Sequence, residues 1–405
     1  MKHSLFLITA LSLLTLMTIQ SIAYASVPND TDLKRLDIEK AIESNAGVNL
    51  SKYGYSIKYI LLDDSDFLLP HHPRMKVLHS GNDIITLSHT GGNACAQFFT
   101  TNGKYLKSFI AQGRSGKEYV NLGGTAISDD GNLIALLDYN KILIYTSEGE
   151  YVKSIPVDFP KIRNNKGIAF IGNNKIFIAK ENSYTFEHYG FTFDINGNLL
   201  HKQKISDSHF LKKEYDKAMS TERLKTADQI YIDSGKEIDI VSQLTDTLYA
   251  ITPELKKQAW AYMDFGKYRG KNPKETLLDL NGASVVTTDY TGCNEFIFFK
   301  VMLMPKSSTL SKYERITYIL LDKESGQVHS IKYNTSLKCW GMKNDLDNGA
   351  PFLPGSIVDN KMYQIVDAIT FMELAKKSNS QKMKEVAASL TEESNPVIIE
   401  VQLKQ

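Results

Sequence analysis

Short apolar runs separated by polar turns follow one another along most of this chain, and they recur at a near-constant interval. Three segments share one pattern: an aromatic residue, three mostly polar residues, a glycine, one further residue and two apolar ones. They read Phe99-Thr-Thr-Asn-Gly103-Lys-Tyr-Leu106, Tyr145-Thr-Ser-Glu-Gly149-Glu-Tyr-Val152 and Phe193-Asp-Ile-Asn-Gly197-Asn-Leu-Leu200. Successive glycines lie 46 and 48 residues apart. The pattern predicts a β-hairpin whose turn needs one residue at positive φ, which glycine adopts without steric cost.

A second signal precedes each hairpin. Gly81-Asn82, Gly131-Asn132 and Gly172-Asn173 are turn pairs, followed by the apolar runs Ile84–Leu87, Leu133–Leu136 and Ile176–Ala179. Turn, strand, strand, glycine turn and strand make up most of a four-stranded antiparallel sheet. Repetition of such a sheet at this interval predicts an all-β propeller of four-stranded antiparallel blades.

Later in the chain the repeat blurs. Asp246–Ile251 and Ala259–Phe265 read as strands of one blade, and Glu295–Lys300 with Thr317–Asp322 as strands of the next, closed by a Ser325-Gly326 turn. Asn360–Val366 opens a last blade and Pro396–Leu403 supplies its final strand. The N-terminal strand Ser56–Leu62 completes the count at six, because a ring closed by both termini leaves no open edge. Met383, Val386, Ala387 and Leu390 form an i, i+3, i+4, i+7 stripe, so Phe371–Leu390 is expected to be a helical insertion in that blade. Ser206–Lys225, rich in Lys, Glu and Asp, reads as an exposed helix or loop. No low-complexity linker divides residues 26–405, which are read as a single domain.

The N-terminus carries a different pattern. Lys2, an apolar run from Leu5 to Met17 and the small residues of Ala23-Tyr-Ala25 form a signal peptide over residues 1–25, with Ser26 starting the mature chain. The apolar run is shorter than the ~20 residues of a spanning helix, and no cysteine stands at the cleavage point for a lipid. The expectation is a soluble exported monomer, periplasmic or secreted. Of 47 Lys and Arg against 46 Asp and Glu, only Lys2 is lost with the signal. The mature chain is therefore neutral, which gives no general attraction to nucleic acid or anionic membrane. Cys95, Cys293 and Cys339 share no metal-ligand spacing and read as three buried thiols, with one disulfide plus a free thiol as the alternative in an oxidising compartment.

Four places carry a family resemblance. Leu36–Ala41 with Ser56–Leu62 is similar to an opening strand pair, and Gly113-Arg-Ser-Gly-Lys-Glu-Tyr119 resembles a Gly-Arg-Gly-Pro-Gly-Glu-Tyr loop. Asn344-Asp-Leu-Asp-Asn-Gly349 followed by Pro351-Phe-Leu-Pro354 resembles the loop before the last blade, and Asn395-Pro396-Val-Ile-Ile the closing strand. Together they resemble the exported six-bladed propellers of Bacteroidota, related to NHL- and TolB-type propellers. The resemblance implies the fold and assigns no activity. Many such relatives are lipoproteins, and this sequence departs from them in lacking the cysteine.

Candidate chemistry is sparse. In the Gly113–Tyr119 loop, Arg114 and Glu118 are candidates to face a ligand and Tyr119 to stack on it. The plainer reading has Arg114 and Glu118 paired with each other while Tyr119 fills a gap. Pro70-His-His-Pro-Arg74 puts adjacent histidines on opposite faces of a strand-like segment, so a shared metal ion is disfavoured. Asp63–Asp66 lacks the glycine and distal Glu of a calcium loop, and Asp129–Asn132 and Asn344–Gly349 are turn chemistry. No nucleophile elbow, phosphate loop or zinc signature occurs, so no catalytic, cofactor or metal residue is assigned. The 21 Tyr and 18 Phe are mostly blade packing. The expected function is non-catalytic binding or scaffolding in the cell envelope, for a glycan, a peptide or a protein. The rival is a hydrolase or lyase with a metal in the central channel, held by Asp, Glu and Asn from several blades.

Overall fold

The computed structural model describes residues 33–44, 46–64, 69, 75–80, 83–90, 93–109, 111–182, 187–206, 230–234, 238–242, 246–268, 284–293, 295–304 and 316–404. The expected signal peptide, Gly81-Asn82, Pro70–Arg74, residues 65 and 66, residues 207–225 and the Cys95 side chain lie outside that description.

The chain from Lys34 onward is a six-bladed β-propeller, as the repeat predicts. Blade one holds Lys76–Ser80, Asp83–Thr90, Asn93–Thr100 and Tyr105–Phe109; blade two holds Gly124–Ile127, Leu133–Leu137, Lys141–Thr146 and Tyr151–Pro156. Blade three holds Ile162–Ile171, Lys175–Asn182, His188–Asp194 and Leu199–Ser206; blade four holds Ile230–Ser234, Ile238–Ser242, Thr247–Ile251 and Lys257–Asp264. Blade five runs Ser284–Gly292, Phe296–Met304, Ile316–Asp322 and Val328–Ile331. The first strands of successive blades neighbour one another all the way round the ring.

Blade six is built from both ends of the chain. Ser356–Val358 pairs with Lys361–Val366, which pairs with Val397–Leu403, which pairs in turn with Gly54–Leu61. Tyr59 stands opposite Ile399 and Leu61 opposite Val397. Val397, Ile399, Val401 and Leu403 share one strand face and are all buried.

The hydrophobic pattern follows from each strand's place in its blade. Middle strands are covered on both faces by neighbouring blades, so Ile134–Leu137 and Ile142–Tyr145 are continuous buried runs. Outer strands meet a neighbour on one face only, and Tyr151–Pro156 alternates. Six buried clusters fill the six spaces between blades. Ile85 and Phe98 of blade one, for example, share a cluster with Ile134 and Tyr145 of blade two.

The glycines of the repeat occupy equivalent turns between third and fourth strands, with φ of +88° at Gly103, +86° at Gly149 and +96° at Gly197. In each turn the glycine N–H donates to the carbonyl three residues earlier. Each turn also lies on the outer strand of the preceding blade. A Cβ at Gly103 would overlap the Leu61 carbonyl, and one at Gly149 would meet the Phe109 ring at 3.0 Å. Blade four makes the same turn with Leu255, at φ +65°. That substitution is why the repeat blurs in the sequence there.

The N-terminal segment departs from the expected strand pair. Lys34–Asp37 does not pair with Gly54–Leu61; it adds a fifth, parallel strand to the outer edge of blade four. Helix α1 (Ile38–Glu43), capped by the Asp37 carboxylate, then packs on blade five. The chain reaches blade six through a 3-10 turn at Leu50–Lys52. One segment thus straps blades four, five and six. Lys34 Nζ donates to the Lys323 carbonyl at 3.1 Å and Lys332 Nζ to that of Ile42. The last-blade insertion is two helices, α2 (Ala368–Lys377) and α3 (Gln381–Ala387). They are divided where Ser380 Oγ caps the second by accepting from Met383 N at 3.0 Å.

Blades two and three are joined by a buried cation. Lys180 is 1% exposed and its Nζ donates to the carbonyls of Tyr139 at 2.9 Å and Val157 at 3.1 Å. Burial lowers its pKa to about 8.

Three outcomes test this architecture. Gly103→Val is expected to cost at least about 1–2 kcal/mol, from left-handed strain plus the clash with blade six. Leu255→Gly relieves the same strain and should leave the melting temperature unchanged or raised. Equal losses from the two changes would refute the equivalence of the turns. A chain ending at Ser394 removes the strand that closes the ring, so it should aggregate or lose cooperative unfolding; an unchanged, monomeric melt would refute closure by the termini. For Lys180 the unfolded chain binds the extra proton between pH 8 and 10.5, so stability from this group rises with pH across that window and is flat below it. Denaturant titrations at pH 7.5 and 9.5 should show the parent gaining roughly 1–2 kcal/mol relative to Lys180→Met. Parallel pH profiles would remove the depressed lysine from the account.

Candidate functional site

Strand alternation sorts the connections onto two ends of the ring. The turns between first and second strands, and between third and fourth, lie at one end, and none exceeds five residues. The strand ends that bound every long connection, 62–75, 110–123, 207–229, 265–283, 305–315, 332–355 and 367–396, lie at the opposite end. Loops that carry function gather where insertions do not disturb the sheets. A site is therefore sought at this end.

The central channel holds a cavity of about 160 Å³, with Val77, Ala126, Ile168, Tyr290, Thr291 and Ser356 among its lining. Ser356 Oγ accepts from Val77 N at 3.2 Å. None of the described lining residues carries a carboxylate. Among the described residues, no three His, Cys, Asp or Glu side chains gather as a metal-ion site.

The Gly113–Tyr119 loop lies in the connection from blade one to blade two. Its Glu118 carboxylate turns back on its own loop and accepts from Ser115 N at 2.9 Å. The Ser115 hydrogen bonds hold that carboxyl below its usual range. Arg114 is exposed and forms no ion pair with Glu118. Tyr119, 1% exposed, packs among Phe98, Leu136 and Tyr145 of blades one and two. Lys141 Nζ donates to the Glu118 carbonyl at 2.7 Å, and the Tyr145 hydroxyl donates to that of Lys117. Two of the three residues hold the loop, and Arg114 is what it presents.

The Asn344–Gly349 loop does more than turn the chain. Asp347 Oδ2 accepts from the Tyr59 hydroxyl at 2.9 Å and from Ser380 Oγ at 2.7 Å; its Oδ1 accepts from Asn344 Nδ2 at 2.8 Å and Gly349 N at 3.0 Å. One carboxylate therefore ties the outer strand of blade six, the start of α3 and the loop. Burial and the neighbouring carboxylate push the Tyr59 phenol up, so it remains a donor. Asp345 accepts from Ser51 N at 2.9 Å and Ser51 Oγ at 2.6 Å. Burial opposes its charge, yet the Ser51 bonds hold it below the usual carboxylate range. A side chain at Gly349 would sit 2.5 Å from the Tyr59 hydroxyl, so the clamp requires glycine there.

Beside this clamp lies a cleft of about 420 Å³, bounded by residues 46–48 of the strap, by blade five's edge and the segment after it, and by Asn379 between α2 and α3. Its lining includes Tyr333, Asn334, Lys343, Asn344, Asn348 and Asn379. These residues come from three distant stretches of chain, so no local motif announces them. Only Asn344–Gly349 stood out in the sequence, and there as turn chemistry. Among the described residues no helix is long and apolar enough to cross a membrane.

Among solved structures, a candidate exported protein of Bacteroides fragilis is similar over 92% of this chain and 99% of its own, with 13% identity and a TM-score of 0.60. A DUF4221-family member from Bacteroides vulgatus is similar over 87% of this chain and 97% of its own, with 11% identity and a TM-score of 0.48. No curated protein matches the chain. The model of a family described as a domain of unknown function, DUF4934, matches residues 33–402, from the start of the strap to the strand that closes the ring, and the chain belongs to that family.

Proposed function

We propose that this chain is an exported, non-catalytic binding propeller of the cell envelope that takes its ligand at the end bearing the long connections. The asymmetry of the two ends carries the reading: one is trimmed to turns of at most five residues and the other carries seven long connections. Ring closure makes every blade part of a rigid frame, and a rigid frame that displays variable loops at one end suits recognition. The channel favours binding over chemistry, because its described lining supplies hydroxyls, apolar groups and Lys76 in place of convergent carboxylates. Export rests on the Leu5–Met17 run and Ala23-Tyr-Ala25. Arg114 belongs to the binding end, with Glu118 and Tyr119 fixing the loop that presents it. Partners are a glycan, a peptide or an envelope protein.

The test uses residues 26–405 with a mixed panel of oligosaccharides and short peptides. Hydrogen exchange locates the site, and mass spectrometry follows the ligand. Saturable binding, protection confined to the long connections and recovery of unaltered ligand are expected. Protection at the short-turn end would overturn the location, and consumption of the ligand would overturn the non-catalytic reading.

A further inference from the structure

The cleft between blades five and six has a composition unlike the rest of the molecule. The chain as a whole is balanced, with 47 basic and 46 acidic residues. The cleft lining holds four asparagines, Asn334, Asn344, Asn348 and Asn379, with Lys332 and Lys343 and no carboxylate. The nearest acids are occupied elsewhere: Asp345 binds Ser51, and Asp347 is saturated by Tyr59, Ser380, Asn344 and the Gly349 N–H. The clamp thus commits both carboxylates to donors of its own, and the lining itself offers amides and ammonium groups without a carboxylate.

Those groups differ in how far they are committed. Asn344 donates to Asp347, and Asn334 Oδ1 accepts from Leu337 N at 2.9 Å. Lys332 is bound to the Ile42 carbonyl. The Asn348 and Asn379 side chains and Lys343 are exposed, and the Lys343 charge lies near enough to Asp345 to help hold that carboxyl down. A side-chain amide offers a donor and an acceptor side by side, which matches adjacent hydroxyls that each donate and accept. Val48, Ile331, Leu337, Pro351 and the Tyr333 ring add apolar surface between these polar points, suited to the C–H faces of a ring.

Other ligand classes fit less well. A cation finds no carboxylate among the lining residues. A peptide main chain is commonly recognised along a free sheet edge. Here the edge strand Val328–Ile331 is covered by the strap, through Ser330 Oγ to the Ser44 carbonyl at 3.4 Å and Lys332 to that of Ile42. We infer that this cleft is a saccharide site, with Lys343 favouring units that carry a carboxylate. The inference deepens the binding reading and rests on it, since two of the long connections, 332–355 and 367–396, form the cleft.

The test is calorimetric titration of residues 26–405 with glucuronic- and galacturonic-acid oligomers and with neutral glucose and galactose oligomers. Acidic oligomers should bind more tightly than neutral ones. Lys343→Glu should weaken acidic oligomers by about tenfold or more, because it removes a charge-assisted contact, and leave neutral ones within about twofold. Tyr333→Ala should weaken both classes. Lys104→Glu, at the short-turn end, should change neither. Lys343 is exposed, so its variant should fold cooperatively, with a small drop in melting temperature from the lost attraction to Asp345. Absence of saccharide binding, or acidic binding that survives Lys343→Glu in a folded protein, would overturn the inference. Peptide binding at the same end without saccharide binding would sink this site and leave the broader reading standing, whereas turnover of a bound oligomer would sink the broader reading.

Discussion

The antiparallel pairing of Gly54–Leu61 with Val397–Leu403 is the constraint on which the rest of this molecule depends. No blade has a core of its own. Each of the six buried clusters lies between two blades, so a blade is stable only when both neighbours are in place. An open row of blades would leave two sheet faces and two backbone edges in water. Pairing the first outer strand with the last strand of the chain removes those ends together. It also makes the cost of opening collective, since the apolar face of Val397, Ile399, Val401 and Leu403 leaves the core as a unit.

The join is reinforced where it is most exposed to failure. Blade six takes strands from both ends of the chain, and its neighbour blade five meets it across the largest described cluster, which runs from Val48 to Leu403. The strap crosses from blade four over blade five to blade six, and Asp347 fastens strand, helix and loop at the same seam. A hydrogen bond to a charged group contributes about 1.5–3 kcal/mol, and Asp347 accepts four from separate donors. These links act on residues far apart in sequence, so they resist separation of the termini directly. They also leave a cleft, because extra chain packed along one seam cannot fill it as evenly as two facing sheets do.

How much of this was legible in the sequence follows from what each feature requires locally. The turns of blades one to three demanded a residue at positive φ, and Gly103, Gly149 and Gly197 met that demand visibly. Blade four accepts strain at Leu255, and the signal vanished although the turn did not. The paired termini were legible because an incomplete last blade needs a strand from elsewhere. The strap was not, since Lys34–Asp37 is only four residues long and draws its register from the edge of blade four. The break between α2 and α3 was hidden inside a helical stripe, although Ser380 caps α3 locally and donates to Asp347, 33 residues away.

The candidate site was less legible than the fold for a related reason. A blade must satisfy the same packing rule six times, and repetition writes that rule into the sequence. The end with the long connections has no such obligation, because those connections need only start and finish at fixed strand ends. Residues there answer to a single loop or a single seam, and each occurs once. Arg114, Glu118 and Tyr119 illustrate the difference: the pattern located the loop, but only the three-dimensional arrangement showed that Tyr119 belongs to the core and Glu118 to the loop's own backbone. The cleft at blades five and six goes further still. Its amides become a set only after the ring has closed, the strap has crossed and Asp347 has taken its donors, so the chemistry there is a product of the same closure that holds the fold.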